Sequence, residues 1–556
     1  MAKGLTFGVM CSGTVFQKWQ AEAIRLLIQN DHDLALLIMD GRAEATRQAG
    51  KRVVPRHKYS LMWRISGRLL FKHAQKANVE MEHELRNVAR RVCTVTEDNF
   101  SEYFSDQDVV SVKSANLDFI LRFGFNIVRG EILNAAKYGV WSFHHDDEEK
   151  YRGGPPGFWP IYKNDPVSAA MMQQLTEKLD SGIVLKKAWL KTLFHSYRTN
   201  LDVLLFVSST WPADMANQIL IQGFHPGLPS GTTAPVNKVP GNYKMIIFLL
   251  KLFKNRIIFY WNDLIRAERW NIGILNRSIQ DLTFQDTAVK HDDVLWMKER
   301  SSRNYFADPA GFIEENKVHI LMEDYSYSEN KAHISEAVFD PLSNSFSVPL
   351  KSIETKEHLS YPFVVVYGEN IYCIPESYRY GCIGLYKRNY SEGIFVEDQV
   401  LLDHIDAVDP TLINHNEKWW LFFTPQKHSN THLYVYYADE LNGEYKPHPG
   451  NPVKMDIRSS RPAGLPFIHE GQLYRPAQDC SVAYGRRVAV NRIVKLTETE
   501  FEEEVVKYIG PLMNCRYSKG FHTVFGLGRY TLVDAKRTKF NFSHFSRQAR
   551  LKLRKH

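Results

Sequence analysis

The sequence predicts two structurally different domains in series, a Rossmann-like α/β domain followed by an all-β five-bladed propeller. Short apolar runs alternate with helical periodicity over residues 6–135, which is typical of βαβ units and a parallel sheet. Over residues 300–540 the helical periodicity is lost, and a strand–turn–strand pattern recurs five times. A segment rich in Pro, Gly, Ser and Thr at residues 224–243 separates the two patterns.

The composition is that of a folded protein with several domain-sized units. The chain has 556 residues, 44% hydrophobic and 24% charged, with a formal net charge of +8, which excludes a single small module. Its six cysteines form no CxxC pair and no Cys/His cluster, so we expect reduced thiols and no metal site. The sequence shows neither a signal-peptide pattern nor an uninterrupted apolar run of membrane-spanning length. We therefore expect a cytoplasmic protein.

The α/β domain is predicted to cover residues 1–223. Its first strand, helix and second strand are expected at residues 6–10, 18–29 and 34–40. Residues 44–92 carry many Arg and Lys without interleaved aromatic residues, which favours a basic helical insertion over a nucleic-acid surface. We expect no nucleic-acid partner.

Residues 224–290 are predicted to form a linker that contains a basic amphipathic helix. The apolar segment 244–270 is interrupted by Lys and Arg, so it is too polar to span a bilayer. Two interpretations stay open: a helix packed between domains, or a helix that lies on an anionic membrane surface. The tail at residues 541–556 is rich in Lys and Arg, which would strengthen a peripheral membrane contact.

The propeller is predicted over residues 291–540 from five repeats, each an apolar strand, a polar turn and an aromatic-rich strand. The repeats start roughly 50 residues apart, which is a period of propeller blades. The innermost strand of a blade faces the central channel, so Asp308, Asp409 and Arg461, which open three repeats, are expected to converge on one pocket. The repeats occupy residues 308–324, 361–377, 409–424, 461–479 and 522–534.

The most informative segments of the first half are GVWSFHHDDEEKYRGGPPGFWPIYKND (139–165) and LTEKLDSGIVL (175–185). They resemble the catalytic core of the 10-formyltetrahydrofolate-dependent formyltransferases, which act on methionyl-tRNA, glycinamide ribonucleotide or nucleotide-linked amino sugars. The resemblance implies that His144 and Asp180 are catalytic and that Ser142 stands where the family has asparagine. It also implies 10-formyltetrahydrofolate as the cofactor.

Formyl transfer to an amine passes through a tetrahedral oxyanion, which needs a hydrogen-bond donor and a base. His144, oriented by Asp180, would meet both needs. Ser142 is shorter than asparagine, and the loss of one oxyanion donor costs about 10²–10³ in rate. Either His145 or a backbone amide compensates, or the domain performs another reaction, or it only binds.

The resemblance also places the pterin of the cofactor against the segment LRFGFNI (121–127) and the Arg-Gly loop. The acidic run 146–149 is expected to be a solvated loop rather than a metal site, because no spaced histidine accompanies it. The implied cofactor-binding residues are Leu121, Phe123, Gly124, Arg152 and Gly153.

The repeat domain carries the segments FADPAGF (306–312), DAVDPTL (406–412) and LYRPAQDCSVAYG (473–485). It resembles the five-bladed propellers of inverting arabinan and xylan hydrolases and, more closely, the N-terminal region of plant glucosamine inositolphosphorylceramide transferases. The hydrolase resemblance implies Asp308 as base or nucleophile and Asp409 as an orienting carboxylate. The glutamic acid expected from a later blade is missing, and Glu376 is the candidate replacement.

The predicted propeller pocket combines carboxylates with arginines, whose planar donors match phosphate or carboxylate groups. We therefore expect a sugar phosphate or a nucleotide sugar as its ligand. The alternative is that the Asp-Pro and Arg-Pro pairs only begin strands and bind nothing. The candidate residues are Asp308, Glu376, Asp409, Arg461, Arg475 and Asp479.

The sequence thus predicts a formyltransferase-like enzyme of glycan biosynthesis. It would transfer a formyl group from 10-formyltetrahydrofolate to the amine of a nucleotide-linked or lipid-linked amino sugar, while the propeller binds or processes a carbohydrate. A second hypothesis is a propeller glycosidase or glycosyltransferase with a degenerate formyltransferase domain. A third is a non-catalytic adaptor for a glycan or a membrane surface.

Overall fold

The computed structural model describes residues 4–42, 60–98, 101–177, 182–225, 227, 229–286, 288–301, 303–540 and 545. The chain divides into two compact units, residues 1–257 (unit 1) and residues 258–556 (unit 2). Three predicted features lie outside the described residues: Asp180, residues 43–59 of the basic insertion, and the basic tail apart from residue 545.

Unit 1 is built on a seven-stranded sheet whose central strand is Phe119–Arg122, with Thr6–Cys11 beside it. Five of the strands pair in parallel, as the alternating pattern predicts. The strands Val167–Gln174 and Ile183–Lys191 add to one edge in antiparallel pairing, which the sequence analysis did not predict. In sheet order the strands are Ile183–Lys191, Val167–Gln174, Val140–His144, Phe119–Arg122, Thr6–Cys11, Asp33–Asp40 and Ala89–Cys93.

The central strands of this sheet are apolar because both of their faces are covered. Phe7 and Val9 in the first strand are fully buried, as are Phe119 and Leu121 in its neighbour. The rings of Phe7 and Phe119 stack with their centroids 5.4 Å apart. This packing holds the strands Phe119–Arg122 and Val140–His144, which carry candidate residues of unit 1.

The other elements of unit 1 are helices and short strands around the sheet. The helices are Lys18–Gln29, Leu61–Leu69, Asp106–Lys113, Phe158–Lys163, Tyr197–Ser208, Trp211–Gln222 and the long helix Asn242–Ile265, which continues past residue 257 into unit 2. The short strands are Val15–Gln17, Asn78–Glu80, Val95–Asp98, Ser101–Phe104, Ile127–Arg129, Arg152–Gly153 and Val236–Asn237.

Unit 2 contains five antiparallel sheets within its described residues. Each predicted repeat is a β-hairpin in a different sheet. The hairpins are Asn304–Glu314 with Lys317–Ser326, Ser360–Tyr367 with Asn370–Glu376, Ala407–His415 with Lys418–Pro425, Phe467–His469 with Gln472–Asp479, and Val524–Leu527 with Tyr530–Phe540. The outer strands are Lys331–Asp340, Ser345–Phe346, Leu350–Ile353, Cys382–Asn389, Ile394–Asp403, His432–Ala438, Lys446–Pro447, Lys454–Met455, Arg487–Leu496 and Phe501–Ile509.

The fifth sheet joins the two ends of unit 2. Strand Arg266–Leu275 pairs along its whole length with Tyr530–Phe540, and Val294–Trp296 pairs with its other edge. The long helix therefore ends at Ile265 rather than at residue 270. The apolar periodicity continues past this point, but pairing with the last strand satisfies the backbone of residues 266–275 in an extended conformation.

Three inner strands share one backbone irregularity. Asp308, Tyr361 and Asp409 each precede a proline, have φ values of 51°, 41° and 51°, and lie where the strand register shifts. Positive φ is uncommon outside glycine and persists only where the surroundings hold it. Such bulges redirect a side chain out of the regular alternation of a strand.

Polar groups of neighbouring sheets hold these bulges. The N–H of Asp308 donates to Asp534 Oδ2 at 3.0 Å, and the N–H of Asp409 donates to Glu376 Oε2 at 3.0 Å. The N–H of Gly464 donates to the Tyr361 hydroxyl oxygen at 2.7 Å. Buried hydrogen bonds therefore tie the inner edges of different sheets together.

A buried ion pair stabilises the fourth sheet. Arg475 is fully buried, and its Nε and Nη2 atoms lie 3.0 and 2.6 Å from the carboxylate of Glu503. Lys454 Nζ lies 2.8 Å from the same carboxylate. Burial opposes ionisation of Glu503, but the two cations outweigh it and lower its pKa.

We predict that Glu503→Gln lowers the free energy of unfolding by about 3–5 kcal/mol, because it leaves the Arg475 guanidinium buried without a counter-charge. Thermal unfolding of the full chain, followed by circular dichroism, would measure the change. The matched control is Glu504→Gln, whose partner Arg492 is 43% exposed, and we expect it to change the stability by less than about 1 kcal/mol. Equal melting temperatures for the two variants would contradict the prediction.

Candidate functional sites

The candidate residues of unit 1 lie around a cleft of about 140 Å³ at the end of strand Val140–His144. The cleft is lined by Arg122, His144 and Gln173, with Phe143 and Gly182 beside them.

His144 is partly exposed to the cleft, and its ring is anchored on the other side. His144 Nε2 lies 3.1 Å from the carbonyl oxygen of Tyr151. The carbonyl can only accept, so Nε2 carries a proton and Nδ1 of the neutral ring is free to act as a base. The predicted partner Asp180 lies outside the residues that the structure describes.

Ser142 is buried and bound to an arginine that the sequence analysis did not assign. Its Oγ accepts hydrogen bonds from Arg122 Nε at 3.0 Å and from Nη2 at 2.7 Å. The Nη1 atom of Arg122 donates to the carbonyl oxygens of Phe125 and Asn126. Burial lowers the pKa of Arg122. The Arg122–Ser142 pair therefore places hydrogen-bond donors and a positive charge where the resembled family has an asparagine amide.

Gln173 supplies the opposite wall of the cleft. It is paired with Ser142 across two antiparallel strands, is 7% exposed, and its Oε1 has no hydrogen-bond partner among the described residues. A Cβ atom at position 182 would lie 2.4 Å from this oxygen. Glycine at this position, two residues after Asp180, therefore leaves room for the Gln173 amide. A buried acceptor without a donor is costly, and an N–H donor of a ligand would satisfy it.

The residues implied for cofactor binding do not gather in this cleft. Leu121 is fully buried in the sheet, and Phe123 stacks on Phe143 with centroids 5.8 Å apart. A Cβ on Gly124 would lie 3.3 Å from the backbone of Cys11, so the chain itself occupies the space expected for a flat ring. Arg152 and Gly153 pair with strand Val236–Asn237 and lie outside the lining of the cleft.

The acidic run 146–149 is not a solvated loop, contrary to expectation. Asp146, Asp147 and Glu148 are 1%, 3% and 3% exposed. Lys187 Nζ lies 3.0 Å from both Asp147 Oδ1 and Glu148 Oε1. A buried cation from the edge strand therefore explains how this run enters the interior.

Unit 2 contains a pocket of about 360 Å³ where the inner strands meet. Three of the residues proposed from the sequence, Asp308, Glu376 and Arg461, line it together with Glu323. Asp409 lies directly behind Arg461. The aromatic lining consists of Tyr305, Tyr325, Tyr327, His358 and Tyr484.

Arg461 is held by Asp409 in a two-point ion pair. Arg461 Nε lies 2.6 Å from Asp409 Oδ2, and Nη2 lies 3.2 Å from Oδ1. Gln478 Nε2 donates to Asp409 Oδ2 at 2.8 Å. Arg461 Nη2 is also 4.0 Å from Glu376. Asp409 thus fixes the orientation of the guanidinium at the pocket.

Asp308 belongs to a buried Asp–His–Asp row that was not predicted. His522 Nδ1 lies 2.7 Å from Asp534 Oδ2, and His522 Nε2 lies 3.3 Å from Asp308 Oδ1. Burial disfavours the charged ring, but the two carboxylates outweigh it and raise the pKa of His522. One ligand atom from each residue lies within 4.8 Å of the others, so the row could hold a cation, although hydrogen bonds already use these atoms. His522 is the first residue of the fifth repeat and Asp534 is its last. Their positions in the repeat could therefore have indicated this row.

Burial shifts the pKa of three carboxyl groups of the pocket. Burial raises the pKa of Asp308 to about 6, with His522 opposing the shift. Burial also raises the pKa of Glu323 and of Glu376 well above the usual range. The shift is thus toward the protonated form for all three carboxyl groups, and it has the same main cause, burial.

Two predicted residues lie outside the pocket. Arg475 is bound to Glu503, as described above, and Asp479 accepts hydrogen bonds from Ser481 and Arg487. Both side chains belong to strand Gln472–Asp479 but are not part of the pocket lining. Their place in a polar Arg-Pro-Ala-Gln-Asp run did not reveal which of them face the centre.

Comparison with known proteins supports both resemblances. The family described as "Glucosamine inositolphosphorylceramide transferase 1, N-terminal" matches residues 294–539. Glucosamine inositolphosphorylceramide transferase 1 of Oryza sativa subsp. japonica is 31% identical over 206 residues, which is 36% of this chain and 28% of the rice protein. Methionyl-tRNA formyltransferase of Borrelia duttonii (strain Ly) is 30% identical over 105 residues, 18% of this chain and 33% of that protein. The matches thus span about a third or less of each relative.

Solved structures give weaker similarities. Glycinamide ribonucleotide transformylase 1 from Symbiobacterium toebii aligns with 39% of this chain and 89% of its own at 14% identity and a TM-score of 0.25. The catalytic domain of Coprinopsis cinerea GH62 alpha-L-arabinofuranosidase aligns with 43% of this chain and 93% of its own at 12% identity and a TM-score of 0.32.

The prediction of a cytoplasmic protein is wrong. The plant relatives are named as transferases of inositolphosphorylceramide, a membrane lipid, and this overturns an expectation that rested on missing sequence signals. Among the described helices, none is both long enough and apolar enough to cross a membrane.

We predict that the stability of the Asp308→Asn variant, measured relative to that of the wild type, increases as the pH rises from about 4 to about 7. The carboxyl group has a pKa of about 6 in the folded protein against an ordinary value of 3.8. The folded state therefore binds this proton more tightly, and stability is lost as the pH rises through the higher pKa. Melting temperatures of both proteins across this pH range would show a growing difference.

Asp398→Asn, at an exposed position of the second sheet, is the control and should show no such trend. A difference in melting temperature that shrinks with rising pH for Asp308→Asn would contradict the assignment.

Proposed function

We propose that this chain is an enzyme of glycan biosynthesis that binds a sugar in the central pocket of unit 2 and transfers a glycosyl group there. The observation that carries the proposal is that two buried carboxyl groups, Asp308 and Glu376, line one pocket with several tyrosines. Burial raises the pKa of Asp308 to about 6 and that of Glu376 well above its usual range. One ionised and one protonated carboxyl group are what glycosidic bond cleavage needs.

In the proposed reaction Glu376 gives its proton to the oxygen that leaves the anomeric carbon. Asp308 accepts the proton of the attacking hydroxyl group, and His522, held by Asp534, positions Asp308. One carbon–oxygen bond breaks and another forms, so the step needs no redox partner.

The arginine at the pocket indicates an anionic substrate. Arg461 opens the fourth repeat, the repeat in which the glutamic acid of the resembled hydrolases is missing. Its Nε and Nη2 atoms bind Asp409, so Nη1, which also lies 3.4 Å from Asn430 Oδ1, would be the donor to the phosphate of a sugar phosphate, a nucleotide sugar or an inositol phosphate acceptor. The names of the plant relatives, which combine glucosamine with inositolphosphorylceramide, are consistent with this class.

We also infer that the five sheets are the blades of a five-bladed propeller. The pairing of Arg266–Leu275 with Tyr530–Phe540 would close the ring with strands from both ends of unit 2. The cross-sheet bonds of Asp308 and Asp409 support a common centre.

We expect Asp308→Asn and Glu376→Gln each to lower glycosyl transfer or sugar release from nucleotide sugars by at least about 10²-fold. Transfer by the wild type should rise with pH through about 6, because Asp308 must lose its proton before it can act as the base. Mass spectrometry of reactions with a panel of nucleotide sugars would measure the products. Glu369→Gln, in the exposed turn of the same hairpin as Glu376, is the matched control.

Full activity in both pocket variants would overturn the proposed roles. A wild-type chain that neither binds nor converts any sugar of this class would overturn the proposal itself.

A second candidate function is formyl transfer in unit 1, which the Arg122–Ser142 pair specifically favours. When bound, 10-formyltetrahydrofolate would supply the formyl group. Arg122 Nε and Nη1 are occupied by Ser142, Phe125 and Asn126, so the second hydrogen of Nη2 and the Ser142 hydroxyl group would donate to the formyl oxygen. Nδ1 of His144 would accept the proton of an attacking amino-sugar amine. The volume of about 140 Å³ suits the formyl end of the cofactor, whereas the residues implied for the pterin lie outside the cleft.

We expect Arg122→Leu to lower any formyl transfer to an amino-sugar nucleotide by about 10²–10³-fold, as for the loss of an oxyanion donor. His144→Ala should abolish it. Arg86→Leu, at an exposed position of the same unit, serves as the control. Isothermal titration with 10-formyltetrahydrofolate that shows no binding to the wild type would exclude this function without affecting the sugar chemistry of unit 2.

A further inference from the structure

The long helix Asn242–Ile265 has two opposite apolar faces. One face packs into unit 1, where Met245 and Phe248 are fully buried. The ring of Phe248 lies 4.1 Å from that of Phe158. Lys251 Nζ on the same side donates to the carbonyl oxygen of Tyr162. This face explains why the helix is part of the fold.

The opposite face carries an exposed apolar stripe. Its five residues follow one another at intervals of three and four positions, so the helix of about 3.6 residues per turn aligns them along one side. Their exposures are 77%, 48%, 65%, 66% and 53%. The stripe consists of Tyr243, Ile246, Leu250, Phe253 and Ile257, all within unit 1. A contiguous exposed apolar surface of this kind marks an interaction site.

The charges beside the stripe have one sign. Lys254 and Arg256 are exposed, and the helical turn places them on opposite edges of the stripe. The sequence has no Asp or Glu between residues 242 and 262. Long basic side chains can extend from an apolar surface to a layer of anionic headgroups.

We propose that the exposed face of the long helix binds an anionic membrane surface. The apolar stripe would enter the boundary between headgroups and acyl chains, while Lys254 and Arg256 contact the anionic headgroups. The helix would lie in the interface rather than cross it, in agreement with the finding that no described helix is long and apolar enough to span a membrane.

Charge decides between the membrane and a second copy of the chain. Two stripes packed against each other would bring the basic edges of both helices together, and like charges disfavour that contact. An anionic membrane instead gains attraction from each basic residue. The proposal rests on this helix alone and does not depend on the sugar chemistry proposed for unit 2.

The test is sedimentation of the full-length chain with vesicles of phosphatidylcholine alone or mixed with phosphatidylserine. We expect the wild type to sediment with the phosphatidylserine vesicles and to be released by salt. Leu250→Glu combined with Phe253→Glu should weaken binding at least tenfold. Lys254→Ala combined with Arg256→Ala should weaken it by about fivefold per residue on anionic vesicles.

All four substitutions are at exposed positions, and unchanged circular dichroism would confirm that the variants fold. The matched control is Leu342→Glu, an apolar residue that is 98% exposed in a turn of unit 2, and it should bind vesicles as the wild type does. No binding by the wild type, or equal binding to both vesicle types, would overturn the proposal. A dimer that dissociates in the Leu250/Phe253 variant, without vesicle binding by the wild type, would assign the stripe to a second copy and also overturn it.

Discussion

The carboxylate of Asp534 is the interaction on which the centre of unit 2 depends. Its Oδ2 accepts the N–H of Asp308 and lies 2.7 Å from His522 Nδ1, while its Oδ1 accepts the N–H groups of His522 and Thr523. A residue with positive φ costs on the order of 1–3 kcal/mol, and this network holds Asp308 in that state. One buried carboxylate therefore links the start of the first repeat with the end of the last and aims the side chain proposed as the base.

The raised pKa values in the pocket follow from burial and from an excess of carboxyl groups over cations. Asp409 has Arg461 as its partner, and Asp308 has His522. Glu323 faces His358 at 3.7 Å, but burial lowers the pKa of that histidine to about 4, so it brings no charge. Burial therefore raises the pKa of both glutamic acids, and for Glu376 the neighbouring Arg461 opposes that shift without cancelling it.

The sequence predicted the hairpins of unit 2 well because each repeat is local: two apolar runs joined by a Gly or Asn turn specify their own pairing. The expectation that Asp308, Asp409 and Arg461 converge rested on their positions at the openings of three repeats, and strand bulges lie at two of these positions, Asp308 and Asp409. The sequence could not separate Arg475 from Arg461, because burial against Glu503 depends on a partner from a distant strand. Arg122 was missed for the same reason. Only the pairing of its strand with Val140–His144 brings it to Ser142.

The fifth sheet gives unit 2 a particular order of assembly. Strand Arg266–Leu275 leaves the ribosome long before its partner Tyr530–Phe540, so during synthesis it has an unpaired edge while the four intervening sheets form. Such an edge is open to pairing with other chains. Pairing between the most distant segments is also the slowest contact to form. The unit can therefore complete its pocket only after its last strand has been synthesised, and a nascent chain would gain the chemistry proposed for this pocket in one late step rather than gradually.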